Sequence, residues 1–188
     1  MRIRGVSDAD ANDAARAVFQ RARQRYGWLP NTVRVMARGS AAADLYLTAG
    51  ELNSAGTLSA VERELLAVLV AAHNGCTYCR TAHGLAARAL GVEAAAVLAA
   101  SSATSTDPRT ATVLGFAAKA LATAGRLTED EVAVARRDGL DDTIMLDIVS
   151  VIAENVLGNI VNNLARTTVD PLLEQAAQRF DDFPSEAR

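Results

Sequence analysis

Ser59-Ala-Val-Glu62-Arg-Glu64-Leu-Leu-Ala-Val-Leu-Val-Ala-Ala-His73-Asn-Gly75-Cys76-Thr-Tyr78-Cys79-Arg-Thr-Ala-His83 is the stretch that decides the fold. Ser59, with Glu62 three residues on and an apolar run behind it, is a capping box at a helix start. The helix is expected over about Ala60 to His73. No polar side chain occurs from Leu65 to Ala72, so burial on most sides follows. Asn74-Gly75 ends this helix. A second helix opens near Cys76 or Thr77 and runs to Leu90, with Gly91 as its stop. A turn this short folds the two helices into an antiparallel hairpin.

Working outward, nearly every other segment also reads as helix. The first is expected over about Asp8 to Arg25, capped by Ser7. Pro30 breaks it, and Asn31 is the candidate cap of a short helix, Thr32 to Ala37. Ala41 to about Asn53 forms another. Beyond the hairpin come a short helix, Glu93 to Ala100, and one that Pro108 opens and that runs to about Ala124. Thr128 with Glu131 repeats the capping box. Asp141 or Asp142 opens a long helix to about Arg166, with Ile144, Ile148, Val151, Ile152, Val156 and Ile160 as its buried stripe. After Pro171 one or two amphipathic turns precede Asp181-Asp182-Phe183-Pro184, which is expected to fray. The expectation is one all-helical domain over 1–188: a helical extension (1–58), a redox core (59–166) and a tail (167–188).

Composition agrees. Of the 188 residues half are apolar and only 4% aromatic. That composition favours packed helices over strands. The net charge of −3 comes with scattered cations; no basic patch marks a nucleic-acid partner. Polar residues interrupt every apolar run, so no membrane span is expected. Met1 to Asp13 is polar, with no signal region, and the cytoplasm is the expected location.

The chain has two cysteines, spaced C-x-x-C. In a reducing compartment such a pair is more often redox-active or metal-binding than a staple. Two sulfurs this close at a helix start can cycle between dithiol and disulfide, and the helix N-terminus favours the thiolate. His83 falls one turn after Cys79 on the same face, within reach of its proton. Glu64 lies ~18 Å of helix rise before Cys76, at 1.5 Å per residue, and only a fold-back brings it to His83. Plainer readings stand beside these. Glu64 fits the charged cap Glu62-Arg63-Glu64, and His83 fits an ordinary surface or core position. A zinc site would need four ligands, with His73 and His83 the only nearby histidines. His73 suits the cationic end of its helix. Tyr78 either packs in the core or offers its hydroxyl to the site. Trp28-Leu29-Pro30-Asn31 reads as a turn with a packed aromatic.

Glu64, eleven residues, Cys76-x-Tyr78-Cys79, three residues, His83 resembles the signature of the alkylhydroperoxidase D family, within the carboxymuconolactone decarboxylase superfamily. Gly27-Trp28-Leu29-Pro30-Asn31 and the lead-in from Leu58 to Glu64 resemble the subgroup of peroxidase-related proteins. The resemblance covers about Gly27 to Arg166. It implies a compact all-α domain with the cysteine hairpin at its centre and subunits joined as trimers or hexamers. It implies a thiol-dependent peroxidase of organic hydroperoxides. Cys79 would attack the peroxide, Cys76 would close the disulfide, and His83 with Glu64 would relay protons, with Tyr78 and His73 as possible supports. No bound cofactor or metal is implied. The reductant would be an external dithiol, and family members can use a lipoyl-bearing protein. In alkylhydroperoxidase D itself a histidine stands where this chain has Tyr78, so the relay differs. The decarboxylase branch generally lacks the cysteine pair, which argues against lactone decarboxylation. The rival expectation is a non-catalytic helical oligomer that binds a ligand or partner and senses oxidation through its thiols.

Overall fold

A computed structural model describes residues 1–179, as ten α-helices and no strand among them. In order these are α1 (Asp13–Tyr26), α2 (Asn31–Met36), α3 (Ser40–Ser54), α4 (Ala60–His73), α5 (Thr77–Ala89), α6 (Ala94–Ala100), α7 (Pro108–Thr123), α8 (Glu129–Arg137), α9 (Asp142–Ala165) and α10 (Pro171–Gln178). The expected frayed segment at Asp181 to Pro184 lies outside the described residues.

The hairpin forms as its sequence predicts. Glu62 N donates to Ser59 Oγ at 3.1 Å, and Ser59 N donates to Glu62 Oε2 at 2.8 Å. This capping box satisfies two N-terminal amides of α4. Arg109 Nε donates to the same Glu62 at 3.0 Å, fastening α7 to the start of α4. Leu65 to Ala71 are all buried, so α4 is the central post. Gly75 takes a φ of +62°, a conformation cheap only without a Cβ. It lets Cys76 N donate back to Ala71 O at 2.8 Å and close the turn.

Two apolar clusters flank the hairpin. Leu66, Val70, Leu114, Leu140 and Ile148 fill the larger one, between α4, α7 and α9. Phe19, Val33, Met36 and Leu47 fill the smaller, between α1, α2 and α3. Helix α9 joins them, packing on α2, α3, α4, α5 and α7. It also staples the hairpin turn. Asn74 Nδ2 donates to Asn159 Oδ1 at 2.9 Å, and Asn163 Nδ2 donates to Asn74 O at 2.8 Å.

Four expectations need correction. Helix α1 starts at Asp13, not Asp8. Asn12 caps it, accepting from Ala15 N at 2.9 Å, while Ser7 closes a local turn with Asp10. Short polar side chains offer the backbone such alternatives to a helix. Asn31 does not cap α2. It is the first helical residue, and its side chain donates to Thr168 O at 3.1 Å. Ile160 is off the buried stripe and 57% exposed. The stripe runs Ile148, Val151, Asn155, Asn159, Asn162, and Ile160 is turned about 100° from Asn159. Finally, α9 spans 24 residues with a window of mean hydropathy 1.7, long and apolar enough by that measure to cross a membrane. Its polar residues, among them Asp147, Ser150 and Glu154, are outweighed by the aliphatic side chains between them. A third (33%) of that window is buried in the chain, and Leu146, Val149, Ile160 and Leu164 are exposed on it.

Asp170 fastens the C-terminal segment. Its carboxylate is buried, accepting from Tyr78 Oη at 2.6 Å and from Asn31 N at 3.0 Å. Removing a buried acceptor strands both donors, at about 1–3 kcal/mol. Asp170→Ala is therefore expected to lower the thermal midpoint by several degrees, at about 2–4 °C per kcal/mol. Calorimetry checks this, and an unchanged midpoint would remove the clamp.

Candidate active site

The start of α5 presents the sulfurs. Cys76 is the N-cap residue, its Sγ accepting from Cys79 N at 3.3 Å, and Cys79 is the third helical residue. Both are buried free thiols. Both therefore lie in the first turn, where the helix dipole favours a thiolate.

His83 stands one turn further along α5, and α4 runs back past it. His83 Nδ1 donates to Glu64 Oε2 at 2.8 Å. The two side chains remain 24% and 28% exposed, so the pair bridges core and solvent. With Nδ1 committed to the carboxylate, Nε2 is the ring nitrogen left for chemistry. Cys79, His83 and Glu64 line one cavity of about 330 Å³. Cys76 sits behind them in a small buried cluster with Ala71 and Tyr78.

The electrostatics divide the two thiols. Cys79 is held down to about 7, first by the hydrogen bond from Cys76. Burial opposes this, while the charge of His83 and the amides of Asn162 and Asn159 support it. Asn162 Nδ2 donates to Cys79 Sγ at 3.2 Å. Cys76 moves the other way, well above an ordinary thiol, because it donates that hydrogen bond and because it is buried beside the Cys79 charge. Burial works against charge on His83. The adjacent Glu64 carboxylate, then Cys79 and Glu154, outweigh burial and raise it to about 9. Between those values the site holds a thiolate, a neutral neighbouring thiol and an imidazolium.

Tyr78 also lines the cavity, but its hydroxyl is given to Asp170. Burial and that carboxylate keep it protonated. His73 is exposed at the end of α4 and is not among the lining residues. Among the described residues no group of three His, Cys, Asp or Glu side chains converges as a metal ion requires.

Several site residues escape a reading of the hairpin alone. Asn159 and Asn162 come from α9. Their signal is polar residues recurring at Asn155, Asn159 and Asn162 along an otherwise apolar buried stripe. Glu154, also on α9, accepts from Asn53 Nδ2 at 2.7 Å, and burial raises its carboxyl. Tyr46 comes from α3, its ring fitted against Gly158, where a Cβ would stand 3.2 Å from Cε2. Trp28 and Pro30, read as a turn with a packed aromatic, form part of the cavity wall, as do Leu173 and Ala176 of α10.

Residues 40–124, which include the whole hairpin, match the carboxymuconolactone decarboxylase family. This segment is similar to that family. No curated protein matches the sequence. Among solved structures, the alkylhydroperoxidase AhpD core protein of Ralstonia eutropha JMP134, peroxidase-related, superposes with a TM-score of 0.79 at 22% identity, over 92% of this chain and 93% of that one. A peroxidase-related protein from Silicibacter sp. TM1040 gives 0.74 at 23%, over 90% and 93%. The debrominase Bmp8 in complex with 2,3,4-tribromopyrrole gives 0.75 at 18%, over 95% and 97%. These likenesses show a shared all-helical fold over nearly the whole chain.

Proposed function

We propose that this protein is a thiol-dependent peroxidase that reduces organic hydroperoxides through a Cys76/Cys79 dithiol–disulfide cycle. The observation that carries this reading is the Cys79 thiol, lowered to about 7, in one cavity with a His83–Glu64 pair bonded at 2.8 Å. The Cys79 thiolate attacks the terminal oxygen of the hydroperoxide. An S–O bond forms, the O–O bond breaks, and the leaving alkoxide takes the imidazolium proton of His83 to depart as the alcohol. Glu64 orients His83 and steadies its charge. Cys79 is now a sulfenic acid. The Cys76 sulfur attacks it, the disulfide forms, and hydroxide leaves with the Cys76 proton as water. An external dithiol, such as a lipoyl-bearing protein, returns two electrons and two protons. Subunits associate as a trimer or hexamer, for which the exposed apolar side chains of α9 offer a face.

The test is steady-state consumption of an organic hydroperoxide by the purified protein with a dithiol reductant. Saturable, enzyme-dependent consumption is expected; disulfide formation without turnover would replace this reading with that of an oxidation sensor. A second reading, reductive removal of halogen from an aromatic ring, draws on the debrominase of the same fold and on the aromatic cavity walls. There the dithiol supplies two electrons, the ring exchanges bromine for hydrogen, and bromide and a proton leave. Bromide release without peroxide consumption would put it first.

A further inference from the structure

The chain has one tryptophan and three tyrosines in 188 residues. All four, Trp28, Tyr26, Tyr46 and Tyr78, line the cavity that Cys79 and His83 enter. They arrive from separate places: Tyr26 and Trp28 from the end of α1 and the turn after it, Tyr46 from α3, Tyr78 from α5. A core helix needs no such convergence, and in a chain with 4% aromatic residues it concentrates every indole and phenol at one site. One of the hydroxyls is committed elsewhere, that of Tyr78 to Asp170. What Tyr78 leaves for a guest is ring carbon. The rest of the wall is small and apolar, including Ala82, Leu85 and Ala86.

The polar end of the same cavity carries a second signal. Thr32 and Asn162 are 6% and 4% exposed. Thr32 Oγ1 and Asn162 Oδ1 are buried without a hydrogen-bond partner among the described residues, and both residues line the cavity. A buried acceptor left unpaired is costly, so its usual complement is a ligand donor. Asn162 spends its Nδ2 on Cys79 Sγ at 3.2 Å. Its Oδ1 therefore sits one amide group away from the sulfur, ready to accept an O–H. Among the described residues no lysine or arginine lines the cavity, and its imidazolium is paired with Glu64. That selects a neutral guest. The volume of about 330 Å³ is at the small end for ligand sites. It suits one ring with a short substituent rather than a fatty-acyl chain.

We propose that the cavity takes neutral single-ring aromatic hydroperoxides, with the ring held among Tyr26, Trp28, Tyr46 and Tyr78 and the terminal O–H accepted by Asn162 Oδ1. As a statement about substrate this rests on the peroxidase reading; as a statement about binding it does not. The donor contact sets the terminal oxygen beside Cys79 Sγ, the atom that attacks it, so Asn162 selects and positions in one gesture.

Trp28, the sole indole, reports occupancy by its fluorescence. The probes are 2-phenylpropan-2-ol, its saturated counterpart 2-cyclohexylpropan-2-ol, and isopropylbenzene, which lacks the hydroxyl. The reduced protein is expected to bind the phenyl alcohol about threefold to tenfold more tightly than the cyclohexyl alcohol, as ring–ring contacts allow, and more tightly than isopropylbenzene. In Asn162→Leu the alcohol's advantage over isopropylbenzene is expected to vanish while the hydrocarbon's affinity stays. Equal affinity for the two alcohols overturns the aromatic site. An undiminished alcohol advantage in Asn162→Leu overturns the donor contact, and the wild-type comparison stands if that variant fails to fold. The matching pair of hydroperoxides separates the two claims. If neither is consumed but the alcohol preference holds, the peroxidase reading falls and the aromatic site remains. If both are consumed equally well and the alcohols bind alike, the reverse follows.

Discussion

Cys79→Ser is expected to bring hydroperoxide consumption down to that of the dithiol alone, a loss on the order of 10³-fold or more in kcat/KM. Serine keeps the shape of the side chain, and the first turn of α5 is held by backbone and by Cys76, so folding should survive. What disappears is the nucleophile. A hydroxyl at this position cannot ionise near pH 7 as a thiol lowered to about 7 can. Cys76→Ser fails differently. The first half-reaction proceeds, and the sulfenic acid on Cys79 then has no neighbouring thiol to close on. A single peroxide equivalent should be consumed, and dimedone should label Cys79 by mass spectrometry. Full turnover by the Cys79→Ser protein would end the mechanism, and turnover by Cys76→Ser with monothiol reductants alone would restrict Cys76 to the disulfide step.

His83→Gln is expected to slow peroxide reduction at pH 7 about 10²-fold, the lower range for loss of a general acid–base group. It should also move the pH midpoint of Cys79 alkylation from about 7 upward toward the ordinary thiol value of 9.0. The shift is partial, because the hydrogen bond from Cys76 is the larger support of the thiolate and remains. In the unaltered protein thiolate accumulates above about pH 7, and His83 keeps its proton up to about 9. The reactive pair is thus fullest between those values, and activity should fall on both sides. The same shift links His83 to stability. Its folded value lies above the unfolded 6.5, so its contribution is complete below pH 6.5 and is lost as pH rises through about 9. An alkylation profile unchanged by His83→Gln would take the imidazole out of the relay and leave Cys76 as the main support of the thiolate.

The parts of this molecule that were legible in sequence are those governed by neighbours along the chain. The Ser59–Glu62 box, the Gly75 reversal and the Cys76 cap each depend on residues within five positions. The 3.6-residue period carries them into a hairpin without further information. His83 one turn after Cys79 is legible for the same reason. The start of α1 was less so, because Ser7, Asp10 and Asn12 are all competent to cap and the choice among them is made by packing. The exposure of Ile160 was likewise hidden, since the stripe of α9 switches from aliphatic side chains to asparagines halfway along.

By itself, then, the sequence determined an all-helical chain, a cysteine pair at a helix mouth and an imidazole beneath it. Only the tertiary structure decided what surrounds them. Glu64 reaches His83 because α4 folds back on α5, and Asn162 reaches Cys79 from 83 residues away because α9 packs across both. The tyrosines and the tryptophan meet only when α1 and α3 close over the hairpin. The physical reason is range: hydrogen bonds of caps and turns are settled within a few residues, whereas burial, charge pairing and cavity shape depend on which distant surfaces exclude water together.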